Sequence, residues 1–158
     1  MEKTVRLLSG PLMPRIGLGT YPMDDATSEV IVARALELGY RSVDTAENYR
    51  NEAGVGRGLR ASGIDRSEVF VTSKFNAEWH GEDLVAQAAA QSLKLLGLDY
   101  LDLLLIHWPN PAQDRYVDAW RGLIKLREQG LVRSIGVSNF KVSHLQRLLD
   151  ETGVAPDV

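Results

Sequence analysis

The feature that most constrains the fold is a repeat in which a helix-like stretch ends in glycine and a short apolar run follows. The glycines close the stretches "LELG", "RASG", "KLLG", "REQG" and "DETG". A glycine just past a helix end is the usual left-handed cap. The runs "RSVDT", "EVFVTSK", "LDLLLIH" and "RSIGVSN" follow the first four glycines. Their nearly continuous apolar character is typical of buried parallel strands.

Apolar spacing indicates which helix faces are buried. The predicted buried sets are Ile31, Ala35 and Leu38 in the first helix; Val85, Ala88, Ala89, Leu93 and Leu96 in the third; and Val142, Leu145 and Leu149 in the last. Before the first helix, "TVRLLSGPLMPRIGLGTY" predicts a small hairpin with "SGPL" as its turn, leading into a first strand in "IGLGTY".

Strict alternation of strands and helices predicts an α/β domain with parallel strands and right-handed crossovers. The 158 residues suffice for one domain spanning positions 1–158. Two architectures fit the alternation: an open doubly wound sheet and a (β/α) barrel. The chain holds five strand–helix units, and "PDV" near the end predicts the start of a sixth strand.

The segment "GVGRGL" at positions 54–59 looks like a dinucleotide-binding glycine loop. In that motif a third glycine would stand where Leu59 is, and an acidic residue would end the next strand. Both features are missing, and the segment lies one strand too late. The glycines are therefore expected to let this helix pack closely on the sheet.

Composition excludes several classes of protein. Hydrophobic residues make up 44% and charged residues 25%, with a net charge of −3, which is ordinary for a globular domain and predicts neither a nucleic-acid nor a membrane partner. The sequence has no cysteine, so disulfides and thiolate chemistry are excluded. No metal site is predicted, because His80, His107 and His144 are far apart. With no apolar signal core near the start, a cytoplasmic location is expected.

Polar side chains stand at the end of each predicted strand. In chain order they are Thr20 and Tyr21, then Asp44 with Tyr49 just after it, then Lys74, His107, and finally Ser138 and Asn139. Each has an ordinary explanation, such as a core histidine, a helix cap or a solvated strand end. Five strand ends that all deliver polar groups to the same rim favour an active site, because barrel enzymes build theirs there.

The residue types suit proton transfer to a carbonyl. A tyrosine phenol ordinarily has a pKa of about 10 and is a weak acid at neutral pH, but a nearby ammonium stabilises its phenolate. A carboxylate keeps that ammonium charged and oriented. A neutral histidine can donate a hydrogen bond to a carbonyl oxygen, where charge develops. Such a site needs neither a nucleophile nor a metal.

The sequence resembles the aldo-keto reductase family along essentially its whole length. The segments that carry the resemblance are "GYRSVDTAENYRNEAGVG" at 39–56, "VTSKF" at 71–75, "LLLIHWP" at 103–109 and "GVSNF" at 136–140. The hairpin before the first strand is also a feature of the family. Among its members, the chain is most similar to the bacterial branch that includes 2,5-diketo-gluconate reductases.

The resemblance implies NADPH-dependent reduction of aldehydes or ketones, small-molecule carbonyl substrates, to alcohols. It makes Tyr49 the general acid, Lys74 and Asp44 the groups that tune it, and His107 the residue that orients the substrate. It also implies contacts to the nicotinamide ribose and carboxamide from Thr20, Asp44, Ser138 and Asn139. The implied walls of the substrate pocket, where core packing is the alternative role, are Tyr21, Trp79 and Trp108.

The family fold is an eight-stranded (β/α)8 barrel, so the resemblance implies a C-terminally truncated domain without strands six to eight. Much of the implied cofactor site lies in the missing part. An opened barrel is expected to expose its apolar interior and two sheet edges, which predicts self-association. Three interpretations stay open: an inactive fragment, a reductase completed by another chain, and a non-catalytic interaction module.

Overall fold

Five parallel strands stand side by side in chain order in the computed structural model, which describes residues 3–158. The sheet order is β3-β4-β5-β6-β7, formed by Leu18–Gly19, Ser42–Asp44, Phe70–Phe75, Leu101–Ile106 and Val132–Val137. The helices between them are α1 (Asp25–Glu37), α2 (Glu52–Ala61), α3 (Leu84–Leu96), α4 (Tyr116–Glu128) and α5 (Val142–Thr152). A doubly wound sheet reverses its strand order at a switch point. The unbroken order here is that of a (β/α) barrel, and it decides between the two predicted architectures.

An antiparallel hairpin covers the end of the sheet at which the parallel strands begin. Strands β1 (Thr4–Arg6) and β2 (Leu12–Pro14) pair as the sequence predicts. Leu7 in the turn packs with interior residues Phe70, Leu103 and Leu105, none of which is more than 6% exposed. The prediction of an exposed apolar interior is therefore wrong for Phe70, Leu103 and Leu105, because the hairpin covers these interior residues.

Glycines end the helices as predicted. Gly39, Gly63, Gly97, Gly130 and Gly153 all have positive φ, a backbone conformation that costs glycine little. Gly97 and Gly153 are the cap residues themselves, and their backbone N–H groups donate to the carbonyls of Leu93 and Leu149, respectively. The repeat found in the sequence thus marks the true helix ends.

Two of the three predicted helix faces are correct only in part. Helix α1 buries Ser28, Val32, Ala35 and Leu36, whereas Ile31 and Leu38 are exposed. Helix α5 buries Leu148 alone, and its residues Val142 and Leu149 are exposed. Spacing defines an apolar stripe, but the neighbour that a helix packs against decides which edge of the stripe is buried. The predicted face of α3 is correct, with Leu93 partly buried.

The last residues of the chain hydrogen bond to the outer edge of β7. The Val137 N–H donates to the Val158 carbonyl at 2.9 Å, and the Asp157 N–H donates to the Ile135 carbonyl at 2.9 Å. These bonds agree with the sixth-strand start predicted in "PDV". Beside them, a groove of about 540 Å³ is lined by apolar side chains including Val142, Leu145 and Leu149.

Two further expectations concern the start of the chain and membranes. Residues 1 and 2, which belong to the start where no signal core is predicted, lie outside the described residues. Within residues 3–158, no helix is both long and apolar enough to cross a membrane.

The glycines of α2 serve close packing between helices, not packing on the sheet. A methyl group on Gly54 would overlap the backbone of Asp25 in α1, and one on Gly56 would overlap the backbone of Leu96 in α3. This corrects the predicted contact partner, while the interpretation of the glycines as packing residues holds.

We expect Gly56→Ala to lower the free energy of unfolding by about 3 kcal/mol, because the added methyl meets backbone atoms that cannot rotate away. Gly19→Ala is the matched control, since nothing lies within 4 Å of its added Cβ and its φ is not positive. Urea unfolding followed by circular dichroism measures both. Equal stabilities of the two variants would contradict the packing role.

Candidate active site

The carboxyl ends of the five strands place the predicted polar residues along one rim. Pairing aligns Gly19 with Asp44, and Lys74 with Leu105. Thr20, Asp44, Lys74, His107 and Ser138 stand within or one residue beyond the ends of their strands. Strand register, more than loop conformation, therefore sets where these groups lie.

Lys74 is the centre of the charged group on this rim. Its side chain points into the barrel interior and is almost completely buried. The Nζ atom donates to Asp44 Oδ1, to the Thr45 carbonyl at 2.9 Å and to the Tyr49 hydroxyl at 3.5 Å. A buried ammonium needs such partners, because an unpaired buried charge is strongly disfavoured.

Tyr49 is carried by a 3-10 turn, Glu47–Tyr49, that follows β4. Its ring centroid lies 5.2 Å from that of Tyr21 and 5.8 Å from that of His107. The Lys74 Nζ lies 5.1 Å from the same ring. The phenol is thus held between two aromatic rings and a cation, with its hydroxyl at the cation.

His107 ends the buried run of β6. Its backbone N–H donates to the Phe75 carbonyl at 3.0 Å, which continues the pairing between β5 and β6 by one residue. Burial lowers the pKa of His107 from its usual 6.5, the nearby Lys74 charge lowers it further, and Asp44 opposes the shift. The imidazole is therefore neutral at pH 7. It carries one N–H donor, and its Nδ1 has no hydrogen-bond partner among the described residues.

Ser138 and Asn139 form the rim beyond β7. Asn139 has a left-handed backbone, with φ of 62°, and its Nδ2 donates to the His107 carbonyl at 2.8 Å and to Ser138 Oγ at 3.0 Å. At the other end of the sheet, the fully buried Thr20 hydroxyl has no partner within residues 3–158. These groups leave hydrogen-bonding capacity that suits a polar ligand such as a ribose or a carboxamide.

The three predicted pocket aromatics differ in position. Tyr21 is 72% exposed and Trp108 is 54% exposed, and the Trp108 ring lies 6.4 Å from that of His107. Trp79 is partly buried against the main core, and its indole N–H donates to Glu47 Oε1 at 2.9 Å. Tyr21 and Trp108 are therefore exposed side chains beside Tyr49 and His107, whereas Trp79 hydrogen bonds to the turn that carries Tyr49.

Sequence reasoning missed three buried polar residues beneath this rim. They are Asn51 and Glu52, which follow Tyr49, and Ser73 on β5, whose hydroxyl donates to Glu52 Oε1 at 2.6 Å. Burial raises the pKa of the Glu52 carboxyl. Asn51 stands at the start of α2, where its type indicates a helix cap, yet its side chain makes no cap bond.

His80 is a buried histidine outside this cluster. It is fully buried against Phe75, and neither ring nitrogen has a hydrogen-bond partner in the described part of the chain. Burial, opposed by Glu78, lowers its pKa from 6.5. The folded state therefore binds this proton less readily than the unfolded chain does.

The chain should lose stability as pH falls below about 6.5, the unfolded-state pKa of histidine, by up to about 1.4 kcal/mol per pH unit for each such group. In this window the unfolded His80 and His107 take up protons while the folded ones stay neutral, so acid favours unfolding. His80→Gln should show a shallower decline in urea melts at pH 7.5, 6.5 and 5.5. Parallel declines in the two proteins would contradict the assignment.

Comparison with known proteins places this geometry in a family. The model described as "Aldo/keto reductase family" matches residues 15–158, nearly the whole chain. The chain belongs to the aldo-keto reductase family. Its rim of Asp44, Tyr49, Lys74 and His107 therefore stands on an aldo-keto reductase scaffold, as the sequence resemblance predicts.

The relatives of this aldo-keto reductase chain are longer than it is. It is 53% identical to methylglyoxal reductase DkgA of Yersinia pestis, over 100% of this chain and 56% of the relative. It is 49% identical to 2,5-diketo-D-gluconic acid reductase B of a Corynebacterium strain, over 98% of this chain and 56% of the relative. The chain thus spans about half the length of the curated relatives it matches.

Solved structures agree with the fold. An aldo/keto reductase of Brucella melitensis superposes with a TM-score of 0.95 at 44% identity, over 98% of this chain and 60% of the other. The Gox0644 D53A variant, solved in complex with NADPH, superposes with a TM-score of 0.92 at 44% identity, over 99% of this chain and 56% of the other. The described residues therefore form part of a (β/α)8 barrel.

Proposed function

We propose that this chain carries the proton-donating side of an NADPH-dependent carbonyl reductase. In this reaction a small aldehyde or ketone becomes an alcohol, and Tyr49 protonates the carbonyl oxygen. The observation that carries the proposal is the contact of the Tyr49 hydroxyl with the Lys74 ammonium at 3.5 Å. A phenol beside a buried cation is suited to proton transfer, because the cation stabilises the phenolate that remains.

Lys74 makes the transfer favourable by stabilising the phenolate that remains on Tyr49. Asp44 and the Thr45 carbonyl hold the ammonium in place, so Lys74 does not have to reorganise as charge develops. This fixed arrangement of charges is the usual source of electrostatic catalysis in a buried site. The proton on Tyr49 is afterwards restored from solvent, because the rim is open.

His107 orients the substrate. Its neutral imidazole can donate one hydrogen bond to the same carbonyl oxygen that Tyr49 protonates, and its ring is 5.8 Å from the Tyr49 ring. Two donors converging on one oxygen fix the carbonyl plane and stabilise the developing negative charge. Tyr21 and Trp108 would flank the substrate, and Trp79 would contribute through the turn that carries Tyr49.

The cofactor fits the remaining polar groups of the rim. When bound, NADPH supplies a hydride to the carbonyl carbon, balancing the proton that Tyr49 gives to the oxygen. Thr20, Asp44, Ser138 and Asn139 would hold its nicotinamide ribose and carboxamide. Support comes from the unpartnered Thr20 hydroxyl and from the relative solved in complex with NADPH.

We propose small dicarbonyl compounds as the substrate class. The supporting observation is that similar proteins are named for reduction of methylglyoxal and of 2,5-diketo-D-gluconic acid. Both compounds have adjacent or closely spaced carbonyl groups. The open walls at Tyr21 and Trp108 accommodate a small polar molecule without enclosing it.

The test is NADPH oxidation by the 158-residue chain with methylglyoxal, followed by absorbance and by detection of the alcohol product. We expect loss of NADPH that requires the carbonyl and scales with protein. A rate that rises more steeply than protein concentration would support reduction by a self-associated form. Bound NADPH without turnover would contradict reduction and favour a non-catalytic module on this scaffold.

A further inference from the structure

The segment that carries Tyr49 is closed by a buried hydrogen bond between its two ends. The Thr45 hydroxyl donates to Asn51 Oδ1 at 2.9 Å, and both side chains are fully buried. Between them lie the turn that carries Tyr49 and Arg50, which has a left-handed backbone with φ of 56°. Residues 45–51 therefore form a short loop whose ends are fixed to each other.

Asn51 also anchors this loop to the neighbouring strand end. Its Nδ2 donates to the Thr20 carbonyl at 3.1 Å and to the Met23 carbonyl at 2.9 Å. Both amide hydrogens and the amide oxygen are thus used inside the protein. The side chain is directed to these partners and makes no cap bond to α2.

Thr45 connects the same loop to the catalytic cation. Its carbonyl accepts from Lys74 Nζ at 2.9 Å, and its N–H donates to the Thr72 carbonyl at 3.0 Å. One residue thus fixes both the loop of Tyr49 and the position of the Lys74 ammonium. The Thr45–Asn51 bond therefore joins the loop that carries Tyr49 to the residue whose carbonyl binds the Lys74 ammonium.

We propose that Thr45 and Asn51 are positioning residues that hold the Tyr49 hydroxyl at the Lys74 ammonium. The proposal rests on the proposed function for its purpose, but its geometry can be tested without cofactor or turnover. A bond that only stabilised the fold would leave the Tyr49–Lys74 contact intact when it is removed. A positioning bond would not.

The test measures how strongly Lys74 influences Tyr49, using fluorotyrosine-labelled chain and fluorine NMR. The Tyr49 signal is assigned by its loss in Tyr49→Phe. In the otherwise unchanged chain, Lys74→Met should displace this signal. In the Thr45→Val background, which removes the hydroxyl at nearly constant volume, most of that displacement should disappear. Thr45→Ser keeps the hydroxyl and should retain it.

A displacement of full size in Thr45→Val would overturn the proposal, as would an equal loss in Thr45→Ser. Neither measurement involves NADPH, so a failure of the proposed reduction leaves this result readable. Urea melts of each variant show that the compared proteins are folded.

Hydrogen exchange of the unchanged chain provides a second test that does not depend on a variant folding. The N–H groups of Tyr49 and Arg50 donate within one turn, as do those of Gln113 and Asp114 in another loop. We expect the first pair to exchange at least about tenfold more slowly, because opening their loop breaks the buried bonds of Asn51. Equal exchange rates in the two loops would overturn the proposal that the bonds of Thr45 and Asn51 hold the loop of Tyr49 in place.

Discussion

Tyr49→Phe should lower the rate of carbonyl reduction by about 10²–10⁴-fold, the usual range for loss of a positioned general acid. The substitution removes one hydroxyl and keeps the ring that contacts Tyr21 and His107. NADPH affinity should change little, because the assigned cofactor contacts come from other residues. Initial rates with methylglyoxal and an NADPH titration by tryptophan fluorescence measure the two effects.

Tyr40→Phe is the matched control for this substitution. Tyr40 lies between α1 and β4, at the opposite end of the strand from the rim, and it is exposed. Loss of its hydroxyl should leave the rate unchanged. Substantial turnover by Tyr49→Phe would contradict the assigned role, because the proposal makes the Tyr49 hydroxyl the group that protonates the carbonyl oxygen.

Lys74→Met should lower the rate by at least about 10²-fold, because the phenolate left after proton transfer loses its neighbouring cation. The methionine side chain preserves much of the buried volume that Lys74 occupies. The dependence of the rate on pH should also change, since a cation that favours the charged phenol no longer acts on it. Initial rates from pH 6 to pH 10 provide this profile.

Lys74→Arg separates charge from position. It keeps the cation but replaces a compact ammonium with a planar guanidinium of different reach. We expect its rate to lie between those of the unchanged chain and Lys74→Met. An unaltered pH–rate profile in Lys74→Met would refute the pairing of the two residues.

The sequence predicts the helix ends well, because they depend on local signals, whereas the strand order required the structure to decide between an open sheet and a barrel. A glycine at a helix end serves the backbone wherever the helix packs, so Gly97 and Gly153 could be interpreted without knowing their neighbours. The buried faces of α1 and α5 could not. In α1, Gly58 of α2 lies close to Glu29 and Val32, so Val32 is buried in this contact while Ile31 is exposed.

The positions of the candidate site residues were predictable for those that stand at the end of a strand. Parallel strands bring their ends to one rim, so Lys74 and His107 could be placed near each other from strand order alone. Asn51 could not be found this way, because two of its three bonds go to the carbonyls of Thr20 and Met23, which are 31 and 28 positions away in sequence. The role of Trp79 was also beyond the pattern, since its partner Glu47 is 32 positions away.

The most direct test of the account is an NADPH titration of the 158-residue chain, observed by NMR of its backbone amides. We expect saturable shifts concentrated at Thr20, Asp44, Ser138 and Asn139, together with quenching of tryptophan fluorescence. Such a result would show that the rim of this chain binds the cofactor beside Tyr49. Shifts elsewhere, or none up to millimolar NADPH, would contradict the proposed site and leave only a reductase scaffold.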